Sequence, residues 1–274
     1  KFKEYSTDIR EYEEKVVPCI CILGKQNAGK STLFNAIIKD ERAMGRCSTE
    51  KSGVSIDSIV NINNKDYKFI DTAGLRRKRA KGGDLGYYSE LRTIRSIENS
   101  DISLILIDCS KGITIQDLKI VERCLEKGVS ICVVFNKIDI VNKDAIDNIV
   151  NMFYQKLKFA PYIPFLKVSA LTKKGIKNII KVIDKLIAER DRKVPDSKLN
   201  NFFKELGQKD IGVYSKGKKF KIKFIRQIKT SPPVFLIFSN MDVRRRVNIR
   251  RYIENNIREK FGFMGTPLYF KFKY

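Results

Sequence analysis

The chain has 274 residues, 43% of them hydrophobic, which is enough for one large and one small domain, each with a buried core. Lys and Arg number 55 against 31 Asp and Glu, a net charge of +24 that indicates a polyanionic partner; the alternative is a basic, merely solvated surface. No apolar run approaches the roughly 20 residues of a membrane-spanning helix, which argues against a membrane protein.

The six cysteines form no CxxC pair, and the chain contains no histidine, so a Cys/His zinc site is not expected. Most of the cysteines lie in apolar runs, which is typical of reduced, buried thiols in a reducing compartment. They are Cys19, Cys21, Cys47, Cys109, Cys124 and Cys132.

Residues 1–15 mix charges and aromatics without a clean period, and we interpret them as a linker or docking arm. Residues 16–192 alternate Val/Ile/Leu-rich runs with stretches whose apolar residues recur every three or four positions. This alternation predicts an α/β domain with a mainly parallel sheet and helices on both faces. The predicted strands are "VVPCICIL", "SIVNI", "YKFID", "ISLILID", "VSICVVFN" and "PFLKVSAL".

Residues 193–274 are predicted to form a small α+β domain, because "DRKVPDSK" is typical of a linker and the pattern changes after it. The predicted order is helix, strand, strand, helix, strand. Residues 197–274 hold 19 basic and 5 acidic residues, so they carry +14 of the net charge.

The stretch "GKQNAGKS", residues 24–31, follows a predicted strand and precedes a predicted helix, which is the context of a phosphate-binding P-loop. Gly24 and Gly29 permit a tight loop, Lys30 reaches the phosphates, and the Ser31 hydroxyl is a Mg²⁺ ligand. The predicted contacts to nucleotide are Gly24, Lys25, Gln26, Asn27, Ala28, Gly29, Lys30, Ser31 and Thr32.

The predicted strand "YKFID" ends at Asp71, the first residue of "DTAG". Asp71 is expected at the end of that strand, where it holds Mg²⁺ through water, and Gly74 offers a backbone N–H to the terminal phosphate. Thr72, Ala73 and Leu75 complete this predicted contact segment.

"NKID" follows the buried run "VSICVVF". The Asp139 carboxylate can accept both the N1–H and the 2-amino group of guanine, whereas adenine presents an acceptor there. We call residues 136–139, which include Lys137 and Ile138, the base loop. Its first residue, Asn136, is expected to tie this loop to the P-loop. Further along the chain, Ser169, Ala170 and Leu171 are expected to reach guanine O6 through their backbone N–H groups.

Together these residues resemble the translation-factor class of GTPases and, more narrowly, the EngA (Der) family. The narrower resemblance is carried by "DTAGLRRKR", "YYSELRTIRSIENSD", "LIDCSKGITIQDLKIV", "SPPVFLIFSN" and "RRYIENNIREKFGFMGTPLYF". It implies a P-loop GTPase domain followed by a KH-like domain, with a further GTPase domain upstream that is not in this chain. It also implies GTP/GDP and Mg²⁺ as ligands, GTP hydrolysis, and a role in assembly of the large ribosomal subunit through rRNA. The implied location is the bacterial cytoplasm or an organelle of bacterial descent.

The first switch departs from the family pattern, because "GVSID" stands where Gly-Thr-Thr-Arg-Asp is usual. The expected Mg²⁺ ligand is then Ser55, whereas a register that aligns Val54 removes the ligand. Val54 and Ser55 therefore leave open a module that binds GTP or GDP with little turnover. A second alternative is an Era-type or other KH-containing GTPase, because Era-type GTPases also end in a KH domain.

Leu75 stands where the best-known GTPases carry a water-orienting glutamine. The resemblance includes GTPases with an apolar residue there, many of them activated by potassium, whose P-loop asparagine matches Asn27. We therefore expect Asn27 to hold K⁺ and to act with Lys30 and with backbone groups at Thr72 and Gly74 in catalysis. The alternative is that Asn27 only stiffens the loop.

In the C-terminal domain, "GFMG" at residues 262–265 has the letters of the GXXG loop with which KH domains clamp RNA. Its interior is apolar and it precedes the last strand, so we interpret it as a helix C-cap and turn. RNA contact is expected instead from the basic second switch at residues 76–81 and from the tail. The tail residues are Lys216, Lys218, Lys219, Arg244, Arg245, Arg246, Arg250 and Arg251.

Overall fold

A computed structural model of the chain describes residues 17–39, 48–52, 55–72, 85–208, 214–215, 218–243 and 246–274. Side chains are described for all of these except residues 48–52, 55–56, 85–90, 207–208, 214–215 and 218–219.

The N-terminal domain is built on a seven-stranded sheet with the order β2-β3-β4-β1-β5-β6-β7. Strands β4, β1, β5, β6 and β7 run parallel, and β2 and β3 extend one edge antiparallel. The predicted mainly parallel sheet is therefore confirmed. The strands are β1 (Cys19–Gly24), β2 (Ser48–Ser52), β3 (Ser55–Ile62), β4 (Lys65–Phe69), β5 (Ile102–Asp108), β6 (Ser130–Asn136) and β7 (Phe165–Lys167).

Helices cover both faces of this sheet, because the central strands are apolar on both sides; every residue of β5 and β6 is buried. On one face α1 and α5 contribute Phe34 and Ile179 to the core. On the other face α3 and α4 contribute Val121 and Phe153. The helices are α1 (Lys30–Lys39), α2 (Leu85–Glu98), α3 (Ile115–Glu126), α4 (Lys143–Lys156) and α5 (Lys177–Asp191).

The C-terminal domain follows the predicted order of helix, strand, strand, helix and strand. Helices α6 (Asp196–Gln208) and α7 (Val247–Phe261) pack on one face of a three-stranded sheet with the order β10-β11-β12. Its strands are β10 (Ile222–Lys229), β11 (Val234–Ser239) and β12 (Tyr269–Lys273), with β10–β11 antiparallel and β11–β12 parallel. A two-stranded ribbon, β8 (Tyr214–Ser215) and β9 (Lys218–Lys219), precedes this sheet.

Two elements differ from the sequence prediction. Strand β2 was not predicted, since "STEKS" has no apolar alternation and its pairing with β3 comes from backbone hydrogen bonds. The predicted continuous strand over residues 218–229 is interrupted, because Phe220 turns into the core and Lys221 N donates to the Asn240 side chain. Lys218 and Lys219 therefore belong to the separate ribbon.

The stretch "GFMG" ends α7 at Gly262, which has φ 91° and donates its N–H to Arg258 O. The predicted C-cap and turn are thus confirmed. The same turn contacts the N-terminal domain: Gly265 O accepts from Ile131 N, and Gly265 N donates to Tyr162 O, both at 2.8 Å. The buried Glu189 carboxylate accepts from Phe263 N. This turn therefore lies in the interface between the two domains.

The described cysteines carry free thiols, as the sequence predicts, and all of them except Cys19 are buried. Burial raises the pKa of the Cys21 and Cys109 thiols to about 11, so they stay protonated at neutral pH. Cys47 lies outside the described residues. Within the described part of the chain, none of the helices combines the length and apolarity needed to cross a bilayer.

Candidate functional site

The predicted P-loop is the tight turn between β1 and α1. Gly24 has φ 139°, and a Cβ there would lie 2.5 Å from Leu106 O on the neighbouring strand, so the close approach requires glycine. Gly29 has φ 97° and immediately precedes α1. Asn27 adopts φ 66° and is exposed on the turn. The loop therefore presents the first backbone N–H groups of α1 at one place, as anion binding requires.

Lys30, the first residue of α1, turns back over this loop. Its Nζ donates to Gly24 O and to Lys25 O, each at 2.7 Å. Burial lowers the pKa of the Lys30 ammonium, because loss of water disfavours the charged form. A desolvated cation at a helix N-terminus is suited to a phosphate group. Of the remaining predicted contacts, Ala28 is buried, Ser31 is half-buried, and Gln26 and Thr32 are exposed.

Asp71 and Thr72 follow β4 and are held by side chains of β3. Asp71 has φ 55°, and its N–H donates to the Asp57 carboxylate at 3.1 Å. Asp57 is buried and lies 3.4 Å from Lys68 Nζ. The Thr72 hydroxyl is fully buried, 2.9 Å from the Ser58 hydroxyl. The support that Asp57 and Ser58 give to this segment was not predicted from the sequence, because only the pairing of β3 with β4 brings them beside it.

The predicted magnesium ligands are the Ser31 hydroxyl at the start of α1 and the Asp71 carboxylate after β4. Both are hard oxygen donors of the kind that Mg²⁺ takes, and Mg²⁺ at a nucleotide usually keeps several waters and only one or two protein ligands. Among the residues that the structure describes, no group of three or more His, Cys, Asp or Glu could hold a metal ion. Arg92 Nε on α2 lies 3.8 Å from the Asp71 carboxylate. By the chemistry of its oxygen donors, the pair of Ser31 and Asp71 suits a Mg²⁺ ion that shares its coordination with phosphate and water.

Asn136, the last residue of β6, connects three loops. Its Nδ2 donates to Ala28 O in the P-loop at 2.8 Å, and its Oδ1 accepts from Ala170 N at 3.0 Å. The side chain is buried, so each of these hydrogen bonds is shielded from water. The expected tie between base loop and P-loop is present, and the same amide also holds the segment that contains Ser169 and Leu171.

Lys137 and Asp108 form an ion pair beside this junction, 2.6 Å between Nζ and Oδ2. Burial alone would raise the pKa of Asp108, but hydrogen bonds from Lys137 and from Ser110 outweigh it and hold that pKa below its ordinary value. Sequence reasoning missed Asp108, although its place at the carboxyl end of β5 was a usable signal. Asp139 is exposed at the end of the base loop, and Leu171 is 77% exposed.

Several predicted residues lie outside the described part of the chain. They include the rest of the "DTAGL" segment and the basic second switch, which are Ala73, Gly74, Leu75 and residues 76–81, together with Val54 of the first switch. Ser55 is described by its backbone only, as the first residue of β3 and the partner of Ser52.

The predicted RNA-binding residues are only partly described. Arg250 and Arg251 are exposed on α7, and the Arg250 guanidinium lies 6.0 Å from the Phe270 ring centroid. Arg246 is half-buried at the start of α7. Lys216, Arg244 and Arg245 lie outside the described residues, and Lys218 and Lys219 are described by their backbone alone.

Two family models match the chain. The elongation factor Tu GTP-binding domain matches residues 15–189, and the C-terminal KH-domain-like region of EngA bacterial GTPase enzymes matches residues 193–273. Similar curated proteins include GTPase Der of Halothermothrix orenii, 38% identical over 93% of this chain and 58% of that protein. GTPase Der of Agathobacter rectalis is 34% identical over 98% of this chain and 61% of its own length.

The chain thus spans about three fifths of the length of the curated relatives it matches. Among solved structures, Era of Aquifex aeolicus bound to GDP·AlF4⁻ is 19% identical over 93% of this chain and 92% of that chain. Its TM-score is 0.47, a similarity too low to add to the assignment.

Proposed function

Since the chain belongs to the EngA (Der) family of bacterial GTPases, with an elongation-factor-Tu-type GTP-binding domain followed by a KH-like domain, we propose that it binds and hydrolyses GTP as a switch in ribosome assembly. We place the division between the two domains at residues 192 and 193, with residues 1–15 as a linker. The C-terminal match is to the EngA type, which favours this family over the Era-type alternative.

The observation that carries the proposal is the Asn136 amide, which joins the P-loop at Ala28 to the segment at Ala170. A phosphate loop and a base loop held together by one buried side chain form a single nucleotide site. Asp139 gives that site its preference for guanine, because one carboxylate accepts both guanine donors. Lys137, anchored by Asp108, is placed to pack along the base.

The P-loop and the residues beside it bind the phosphates. Lys30 supplies a desolvated positive charge, and Ser31 and Asp71 are the residues that hold Mg²⁺, with Ser55 as a further ligand. When bound, Mg²⁺ neutralises charge on the phosphate oxygens. Because Leu75 offers no water-orienting side chain, Asn27 is proposed to bind K⁺, and backbone groups at Thr72 and Gly74 to orient the water.

The partner in this proposal is ribosomal RNA of the large subunit, contacted by the basic C-terminal domain in the bacterial cytoplasm or an organelle of bacterial descent. The test is single-turnover GTP hydrolysis with and without purified ribosomal subunits. We expect stimulation by large subunits and much less by small ones. Nucleotide binding without turnover under every condition would contradict the switch and favour a GTP/GDP-binding module.

A further inference from the structure

The three-stranded sheet of the KH-like domain has one face that the helices α6 and α7 do not cover. Side chains alternate between the faces of a strand, and Ile225, Phe235 and Ile237 point into the helix-packed core. Their neighbours point the other way, and Phe224 is 39% exposed. We call these outward-facing residues the open sheet face: Phe224, Arg226, Leu236, Phe238, Lys271 and Lys273.

Strand register places these side chains in two rows across the sheet. In the first row Phe224 lies opposite Phe238, and Phe238 lies beside Lys273. The two ring centroids are 6.1 Å apart, and the Lys273 ammonium is 6.0 Å from the Phe238 centroid. The second row joins Arg226, Leu236 and Lys271. The surface therefore presents two neighbouring aromatic rings with cations around them.

The charged residues of the three strands that form this surface are all basic. Strands β10, β11 and β12 contain five Lys or Arg residues and no Asp or Glu. At the edge, Arg226 Nε lies 2.8 Å from Asp196 at the start of α6. An aromatic pair of one exposed ring, Phe224, and one half-buried ring, Phe238, with cations beside it is a poor surface for a purely apolar protein partner. It is suited to a polyanion that carries flat rings, because bases stack on aromatic side chains while Lys and Arg contact the phosphates.

One end of the face adjoins the GTP-binding domain. The Tyr269 hydroxyl, at the start of β12, donates to Leu125 O at 2.8 Å, just beyond the second row. A ligand on the face would therefore extend from the two phenylalanines toward the junction of the domains. Duplex RNA buries its base faces in stacking, so only an unpaired segment can use the rings.

We propose that the open sheet face binds single-stranded RNA by stacking unpaired bases on Phe224 and Phe238, with its cations on the backbone. The inference deepens the proposed function and rests on it in one respect, namely that this domain contacts RNA. It assigns a site different from the "GFMG" turn, whose Gly265 is enclosed between Leu186, Ile131 and Pro164 of the other domain.

The test measures binding of a fluorescein-labelled uridylate oligonucleotide of about 12 nucleotides, single-stranded or paired with its complement, to the full chain by anisotropy. Phe224→Ala and Phe238→Ala are each expected to weaken the affinity for single-stranded RNA by about 5- to 100-fold, because each removes the stacking of one base on an aromatic ring. Phe159→Ala is the matched control, since Phe159 is 47% exposed in the GTP-binding domain, and it should leave affinity unchanged. Lys273→Gln should lower the salt dependence by about one counterion.

A second measurement needs no substitution. The unaltered chain is cross-linked to an oligonucleotide containing 4-thiouridine, and the sites are mapped by mass spectrometry. Cross-links at Phe224 or Phe238 are expected. Cross-links confined to α7, or single-strand affinity that both alanine variants retain, would overturn the stacking site while leaving GTP hydrolysis and RNA binding elsewhere intact. Variants that retain RNA affinity but lose ribosome binding would assign the face to a protein partner and overturn the proposal. If the unaltered chain binds no RNA at all, both the stacking site and the proposed contact of this domain with RNA are overturned.

Discussion

The side-chain amide of Asn136 packs against Gly29 so closely that a Cβ at Gly29 would overlap its Nδ2. The glycine before α1 is thus required both for its φ of 97° and for this approach. The contact lets Asn136 reach Ala28 O and Ala170 N together. Nucleotide affinity should therefore depend on one buried side chain that, in this proposal, touches neither phosphate nor base.

Asn136→Ala removes two shielded hydrogen bonds and leaves Ala28 O without this donor. At about 0.5–1.5 kcal/mol for each of the two bonds, we expect GDP affinity to fall about 5- to 150-fold. Asn142→Ala is the matched control: Asn142 caps α4 by accepting from Ala145 N, so its loss should cost about 1 kcal/mol of stability and no affinity. Calorimetric titration and thermal melts measure both quantities. Equal affinities for the two variants would refute the role of Asn136.

Asp139→Asn should change the nucleotide preference of the site from guanine to xanthine. An amide can donate to the 2-oxo group of xanthine, whereas it cannot accept both guanine donors as a carboxylate does. We expect GDP affinity to fall about 100-fold, since a charged bidentate pair is lost, and XDP affinity to rise. Asp144→Asn, in the first turn of α4, is the control and should change neither. If XDP binds no better to Asp139→Asn than to the unaltered chain, Asp139 does not read the base.

Local patterns were sufficient to predict much of this fold. Strands β5 and β6 are largely apolar runs, which predicts their burial. The P-loop glycines lie where a buried strand meets an amphipathic helix, so neighbouring residues are enough to predict the turn. Strand β2 carries no such pattern, since its five polar residues are placed by backbone pairing.

The supporting contacts of the site could not be predicted in the same way. The Asp57 carboxylate accepts a hydrogen bond from the N–H of Asp71, 14 residues along the chain, and Lys137 donates to Asp108, which is 29 residues away. Asp71 and Lys137 lie in recognisable motifs, but nothing near them in the sequence identifies Asp57 and Asp108 as their partners. The docking of the "GFMG" turn on Ile131 and Tyr162 is a contact of the same kind. Its residue types indicated a C-cap, but only the packing of the two domains shows what the turn touches.

The Asp108–Lys137 pair should make stability depend on pH in the acid range. The pKa of Asp108 is lower in the folded chain than in the unfolded one, so its stabilisation is present above the ordinary carboxyl pKa of about 3.9 and is lost as the pH falls through the folded value. Asp108→Asn should therefore lower Tm at neutral pH, with a difference that narrows below about pH 4. A constant difference across that range would show that the charge of Asp108 contributes nothing.

Potassium should stimulate hydrolysis if a K⁺ ion held by Asn27 compensates for the absence of a catalytic glutamine at Leu75. An arginine finger is worth about 10³–10⁵ in rate, and a cation between the phosphates supplies the same charge, so a stimulation of at least about 10-fold in KCl over NaCl is expected. Asn27→Ala should lose this stimulation while keeping most of its GDP affinity, because the P-loop N–H groups remain. Single-turnover rates in the two salts provide the measurement, and equal rates would exclude the potassium role.

Gly265 offers a test of whether the two domains unfold together. It has φ 65°, and a Cβ there would lie 2.7 Å from Ile131 O and overlap Leu186. Gly112 is the matched control, since it has φ 68° and a Cβ there would meet nothing within 4 Å. An alanine at either glycine costs about 1–2 kcal/mol for the left-handed backbone, and only Gly265→Ala adds about 1–3 kcal/mol of overpacking at the interface.

Calorimetry of the two variants separates these contributions. Gly112→Ala should lower Tm by a few degrees and keep the shape of the transition, because about 1 kcal/mol corresponds to about 2–4 °C in a protein of this size. Gly265→Ala should lower Tm further and broaden or split the transition, since the hydrogen bonds of Gly265 to Ile131 and Tyr162 are lost when the turn shifts. Equal shifts with an unchanged transition would mean that the turn does not couple the unfolding of the two domains.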